Sequence, residues 1–229
     1  MKQYIKNIRT NKVEKAVTRR LTKSDLGELM RIQSEVMAAL TDKSIYIEGS
    51  RDEFEKILDS RGEIYGIFTR DTLCGACSIK MPGDVPQNLG NDIPLQTNEI
   101  AGCTNIDYLF VSPDYRQNGI ARELVRVCIK RAVDALGARY VLAAVSPKNT
   151  SCILSYMSLN GMRLSALKQK YGCRLRYIMC YNHDDKRLYT VYERFALEDV
   201  YSISRALAGG YVGIATFRSN ESIYIWMSK

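Results

Sequence analysis

Histidine is all but missing from this chain: of 229 residues, only His183 carries an imidazole. That leaves little room for a Ser-His-Asp or Cys-His nucleophilic mechanism, and its place just after an apolar strand suits a turn residue. Long hydrophobic runs are missing as well. The longest, Tyr140–Val145, falls far short of the ~18–20 residues that span a bilayer, so no membrane partner is expected. The first twenty residues hold charges but no apolar stretch that reads as a secretory signal. Neither GxxxxGK[S/T] nor GxGxxG occurs, which sets aside the two commonest glycine-rich phosphate loops. There is no internal repeat and no low-complexity tract. The seven cysteines (Cys74, Cys77, Cys103, Cys128, Cys152, Cys173 and Cys180) are odd in number and scattered, which reads as reduced thiols in a cytoplasm. Cys74 and Cys77 have CxxC spacing, but they sit in a strand-like run and no second pair follows, so no metal site is expected.

What remains has an ordinary globular balance, with 46% hydrophobic and 25% charged residues. A chain of this length is expected to bury roughly 70% of its extended surface without disulfide or metal staples. The net charge is +8, and most of it lies at one end. Residues 1–20 hold seven Lys/Arg and one Glu. With Tyr4 as its only aromatic, this arm offers no base-stacking platform, so nucleic acid is not expected as a partner. Residues 1–15 read as a solvated leader, with contact to nucleic acid or an acidic surface as the alternative.

The periodicity predicts a mixed α/β sheet in a domain over 16–184, with a helix-plus-hairpin extension over 185–229. A short strand is expected at Ala16–Arg20. A helix capped by Ser24 carries Leu26, Leu29, Ile32 and Val36 on one face. A second short helix starts at Ser50 and ends at Arg61-Gly62. Glu63–Thr69 and Thr72–Lys80 read as a hairpin turning at Arg70-Asp71. Met81–Thr104, with three of the five prolines, reads as a long loop of the kind that serves as a lid or stays disordered. Asn105–Val111, Gly119–Leu136 and Tyr140–Val145 form a strand–helix–strand unit with parallel strands. A helix at Asn149–Leu159 and a strand at Arg174–Tyr181 follow. In the extension, a helix over Leu197–Ala208 precedes strand-like runs Tyr211–Phe217 and Ser222–Met227. Their edges call for cover, either from a dimer contact or from docking within the chain.

The chemistry concentrates in Leu109-Phe110-Val111-Ser112-Pro113-Asp114-Tyr115-Arg116-Gln117-Asn118-Gly119-Ile120-Ala121-Arg122. A strand ends, a polar turn follows and a helix begins near Gly119. The first amides of a helix have no intrahelical acceptor and lie at its positive end, where phosphate groups fit. Gly119 and Ala121 let a diphosphate approach the backbone closely. Arg116 and Arg122 can add charge-assisted bonds.

This segment resembles the central motif of the GNAT superfamily of acetyl-CoA-dependent N-acyltransferases, Arg/Gln-x-x-Gly-x-Gly/Ala after a strand of the form L-x-V-x-P. Arg116-Gln117-Asn118-Gly119-Ile120-Ala121 after Leu109-Phe110-Val111-Ser112-Pro113 matches it in full. Asn149, Tyr156 and Gly161-Met162 resemble the family's later elements, with Met162 in place of the usual aromatic residue. Thr18–Leu26 resembles its first strand and helix start. The likeness covers about residues 16–182.

The resemblance implies acetyl-CoA as acyl donor, with no metal, and a small-molecule or peptide amine as acceptor. It implies that the amides of residues 117–122 hold the diphosphate. The pantetheine arm would pair with the backbone of Leu109, Phe110 and Val111, and Asn149 would contact the cofactor arm from the far side. In such enzymes a neutral amine attacks the thioester directly, so a base must first take the ammonium proton. The resemblance gives Tyr156 the role of acid toward the leaving thiolate. The family often has Glu where this chain has Asn105, which cannot accept a proton at neutral pH. Asp107, on the same face of the strand, is the candidate base. Glu99 in the long loop is a weaker choice, and a water relay is a third. The alternative reading is a catalytically silent CoA-binding module that works through a partner.

Overall fold

The computed structural model describes residues 3–59, 62–70 and 72–229. Arg61 and Asp71, named above at a helix end and a turn, lie outside the described residues. In chain order the elements are β1 (Gln3–Lys6), β2 (Val13–Arg20), α1 (Leu26–Ala38), α2 (Arg51–Asp59), β3 (Gly62–Thr69), β4 (Thr72–Lys80), α3 (Thr97–Ile100), β5 (Thr104–Val111), α4 (Ile120–Leu136), β6 (Tyr140–Val145), α5 (Thr150–Met157), β7 (Met162–Lys170), β8 (Arg174–Asn182), β9 (Tyr192–Ala196), α6 (Val200–Ala208), β10 (Val212–Ser219) and β11 (Ser222–Ser228). Two compact units result, Met1–Met81 with Ile106–Ala132, and Pro82–Asn105 with Val133–Lys229.

In the first unit the strand order is β1-β2-β3-β4-β5, with β1, β2, β3 and β4 paired antiparallel. The periodic faces of α1 and α2 close over this sheet. Leu26, Leu29, Ile32, Val36, Phe54 and Ile57 pack with Ile64, Phe68, Leu73 and Phe110. The expected cap Ser24 is displaced by a box one turn earlier, in which the Asp25 carboxylate accepts the Thr22 amide at 2.8 Å and Arg19 holds that carboxylate. The pair with Arg19 drops the Asp25 carboxyl to about 2. Ser50 does cap α2: its Oγ accepts the Glu53 amide while Glu53 accepts the Ser50 amide, the reciprocal pattern of a capping box.

The basic segment read as a solvated leader folds. Residues 3–6 pair with 13–16, and Ile5 is buried against the sheet. The turn between them is built by the Asn7 side chain, which accepts the amides of Arg9 and Thr10, and by Asn11 in the left-handed region. The charges read as a leader because exposed Lys and Arg surround Ile5 and Ala16, which are buried in an edge hairpin.

In the second unit the order is β6-β8-β7-β10-β11-β9. Strand β7, unmarked in the sequence because its second half is Leu-Lys-Gln-Lys, pairs with both β8 and β10. Strand β9 pairs with β11. The extension therefore docks within the chain, one of the two outcomes expected for its edges. Segment 82–105 is not a free loop. Leu89 and Cys103 pack with Tyr140, Leu142, Ile178 and Cys180. Asn88, fully buried, ties the segment together: its Nδ2 donates to the carbonyls of Gly83 and Ile100, and its Oδ1 accepts the Gly90 amide. Asp92 pairs with Lys170 at 2.7 Å. Replacing Asn88 with Ala removes three hydrogen bonds and leaves the buried Gly90 amide without its acceptor, which should cost about 2–3 kcal/mol; a urea melt of N88A showing less than half of that would contradict the pinned-loop assignment.

Candidate active site

The site begins where β5 ends. Ser112 donates its amide to the Cys74 carbonyl at 2.9 Å, and a 3-10 turn over Pro113–Tyr115 leads into the loop before α4. Helix α4 lies close to β4 because Gly75 has no side chain: a Cβ there would meet Ile120 at 2.6 Å and Leu124 at 3.3 Å. The loop is bent by two left-handed residues, Gln117 (φ 63°) and Gly119 (φ 70°). A Cβ on Gly119 would touch nothing within 4 Å, so this glycine answers to the backbone angle and not to crowding.

At this bend a row of amides is left without protein partners among the described residues. The first α-helical bond at this end is from the Glu123 amide to the Gly119 carbonyl. Among the described residues, the amides from Gln117 to Arg122 find no protein acceptor. Arg116 and Arg122 are exposed at either end of the row. Six N–H groups, a helix dipole from 17 residues and two cations make a fitting cradle for a diphosphate. Asn118 contributes its side chain differently: it bonds to the backbone of Lys6 and of the loop itself.

Along β5 the candidates separate by environment. Phe110 is buried in the core, edge-on to Tyr46, while Leu109 and Val111 are half-buried. Asp107 lies 2.6 Å from the Lys80 ammonium. Burial pushes its carboxyl above the usual range, Lys80 pulls it back, and Glu53 adds to the push. Lys80 carried no signal in the sequence, since its meeting with Asp107 depends on how β4 lies against β5. Asn105 is buried, and its Oδ1 has no hydrogen-bond partner among the described residues.

In the second unit, Asn149 caps α5 through its Oδ1, which accepts the Cys152 amide at 3.1 Å. Tyr156 lies on α5, 2% exposed. Glu99 is committed: it accepts the Gln96 amide, binds the Tyr140 hydroxyl at 2.8 Å and faces Arg139. These contacts hold its carboxyl below the usual range, which makes it a poor proton acceptor. All seven cysteines are free thiols. Cys74 is buried and its thiol pushed up by that burial, the setting of an inert thiol.

A model of the acetyltransferase (GNAT) family matches residues 29–161, more than half of the chain. This chain belongs to the GNAT acetyltransferase family. Solved structures share its fold. NAA60 of Arabidopsis thaliana in complex with acetyl-CoA aligns with TM-score 0.57 at 20% identity, covering 74% of this chain and 99% of that one. The PaiA N-acetyltransferase of Thermoplasma acidophilum in complex with coenzyme A gives 0.54 at 18%, covering 73% and 99%. The ribosomal-protein-S18-alanine N-acetyltransferase of Escherichia coli gives 0.55 at 17%, covering 76% and 99%. A search of curated proteins returned no match. Among the described residues, no helix of this GNAT protein is long and apolar enough to cross a membrane.

Replacing Gly119 with Val forces a β-branched residue to a positive φ and places its bulk over the amide row. Calorimetric titration of G119V with CoA should show affinity reduced at least about tenfold relative to the parent chain, equivalent to roughly 1.4 kcal/mol; equal affinity would remove the row from the donor site.

Proposed function

We propose that this GNAT protein is an N-acetyltransferase that moves an acetyl group from acetyl-CoA to a primary amine. The observation that carries the reading is the row of amides at Gln117–Arg122 without protein acceptors among the described residues, flanked by exposed Arg116 and Arg122. In this reading the row holds the CoA diphosphate, and the backbone of Leu109–Val111 guides the pantetheine arm. The amine nitrogen attacks the thioester carbonyl carbon, an amide of the same strand stabilises the tetrahedral oxyanion, and the C–S bond breaks. Asp107 takes the proton the amine must lose, and its burial-raised affinity for a proton suits that task. Tyr156 gives a proton to the departing thiolate. The roles of Tyr156 and Asn149 rest on the resemblance of their positions to the family's. The substrate is a small-molecule or peptide amine.

A second reading, a silent CoA-binding module, is favoured by one feature. Asn105 stands where a family Glu is common, and it cannot act as a base. Thiol release from acetyl-CoA across a panel of amines separates the two readings. Turnover on any amine supports the enzyme, and tight CoA binding without turnover supports the module.

Two variants test the assigned roles. Y156F should lower kcat by about 100-fold or more, the scale of a lost general acid, with CoA affinity kept. K80M removes the cation that stabilises the Asp107 carboxylate, so that carboxyl takes up a proton more readily and the acidic limb of the kcat/KM profile moves to higher pH. A limb that stays in place or moves lower would take Asp107 out of the mechanism.

A further inference from the structure

The N-terminal strand grips the loop that bears the amide row. The Asn118 side chain meets the Lys6 backbone twice: the Lys6 amide donates to its Oδ1 at 2.8 Å, and its Nδ2 donates to the Lys6 carbonyl at 2.8 Å. A primary amide carries the same donor and acceptor as a peptide group, so Asn118 acts as one residue of extra strand beside β1. The same Nδ2 also reaches the carbonyls of Tyr115 and Arg116 at 3.0 and 3.1 Å, tying the residues just before the bend to the same nitrogen. Two residues on, the Ile8 amide donates to the Asp114 carbonyl at 2.7 Å, and Arg9 pairs with the Asp114 carboxylate at 2.8 Å. The strand is itself fixed by Ile5, buried to 1% exposure. Between these contacts Gln117, a non-glycine, stays in the left-handed region, a conformation that persists where its surroundings hold it.

We propose that the N-terminal hairpin is a working part of the acyl-donor site: Asn118, clamped to β1, is the positioning residue that keeps the amides of Gln117–Arg122 facing outward for a diphosphate. The proposal rests on the reading that this row binds CoA. It also gives the basic segment a task that needs no nucleic acid.

The test uses the full chain and two variants that cut the clamp from opposite sides, Asn118→Ala and Lys6→Pro, the second removing the Lys6 amide donor and keeping the Lys6 carbonyl. Hydrogen exchange of the ligand-free proteins reads the clamp alone, and both variants should exchange faster across residues 114–122 than the parent. Calorimetric titration with CoA reads its purpose. Each variant should bind about tenfold more weakly, as expected for losing a coupled pair of hydrogen bonds, with KM for acetyl-CoA rising more than kcat falls. Asn118→Asp keeps the acceptor, loses the donors and adds a negative charge beside the phosphates, so it should not rescue. Unchanged exchange in both variants overturns the clamp. Faster exchange with parental CoA affinity overturns its role in the donor site. A parent chain that gives no binding heat overturns the CoA reading itself, while the exchange data still decide the clamp. Global unfolding of both variants overturns the proposal too, because the contact would then be a prop of the whole unit.

Discussion

Among the described residues, the six successive N–H groups from Gln117 to Arg122 lack a protein acceptor, more than the four that a helix start ordinarily leaves. They run from the loop into the first residues of α4, and the rest of the first unit explains why they stay there. The helix cannot drift, because Ile120, Leu124 and Cys128 are buried and Gly75 lets the first two settle against β4. The loop cannot relax into a further helical turn, because Gln117 and Gly119 hold positive φ. The anion-receptive end is thus a consequence of core packing at one side and of backbone handedness at the other. Water satisfies such amides in the free protein at little cost. A ligand with several acceptor oxygens gains by replacing that water with one pre-aimed row.

Carboxylates around the two units show how neighbours sort residues of one kind into different tasks. Glu63 is held by Arg131, Arg20 and the Tyr65 hydroxyl, and those contacts keep its carboxyl below the usual range. Glu99 and Asp25 are held likewise. Asp107 is displaced the other way, upward, because burial outweighs the pull of Lys80. A carboxylate with two or three donors is a structural tie. One that is desolvated and has one cation takes up a proton more readily. The distinction between Asp107 and Glu99 therefore comes from the count of donors around each.

The elements with strong periodicity were legible in the sequence: α1, α2, α4 and the β3–β4 hairpin announce themselves through buried positions at fixed spacing. The turn from Pro113 to Arg122 was legible for a different reason, since small residues at a strand-to-helix junction have a direct consequence for backbone access. The rest was hidden by context. Strand β1 is four residues of an edge hairpin in which buried Ile5 stands between exposed Tyr4 and Lys6, so its pattern is that of a charged tail. Strand β7 pairs on both sides, yet Lys168, Gln169 and Lys170 give it a polar second half. Asn88, Lys80 and Asn118 each act on a residue distant in sequence, and no local pattern distinguishes a pinning amide from a solvated one.

The C-terminal extension shows how the same edge problem is solved twice. Strands β10 and β11 put Ile225 and Met227 on the buried face. On the other face stands a column in which Phe217 stacks between Tyr224 at 5.4 Å and Trp226 at 5.6 Å, with Arg194 over the Tyr224 ring at 5.0 Å. Cross-strand rings of this kind fix register, because a slip of one residue would move every ring to the opposite face. The hairpin is then flanked by β7 on one side and β9 on the other, so the strands richest in β-prone residues are interior. What is left at the margin is β9, whose Tyr192, Glu193 and Arg194 are exposed, and at the other end of the chain β1, with exposed Tyr4 and Lys6. Short, charged margins are poor templates for pairing with another chain. The basic composition of the N-terminal segment follows from that constraint as directly as from any ligand, and the clamp at Asn118 uses a strand that edge protection had already made polar.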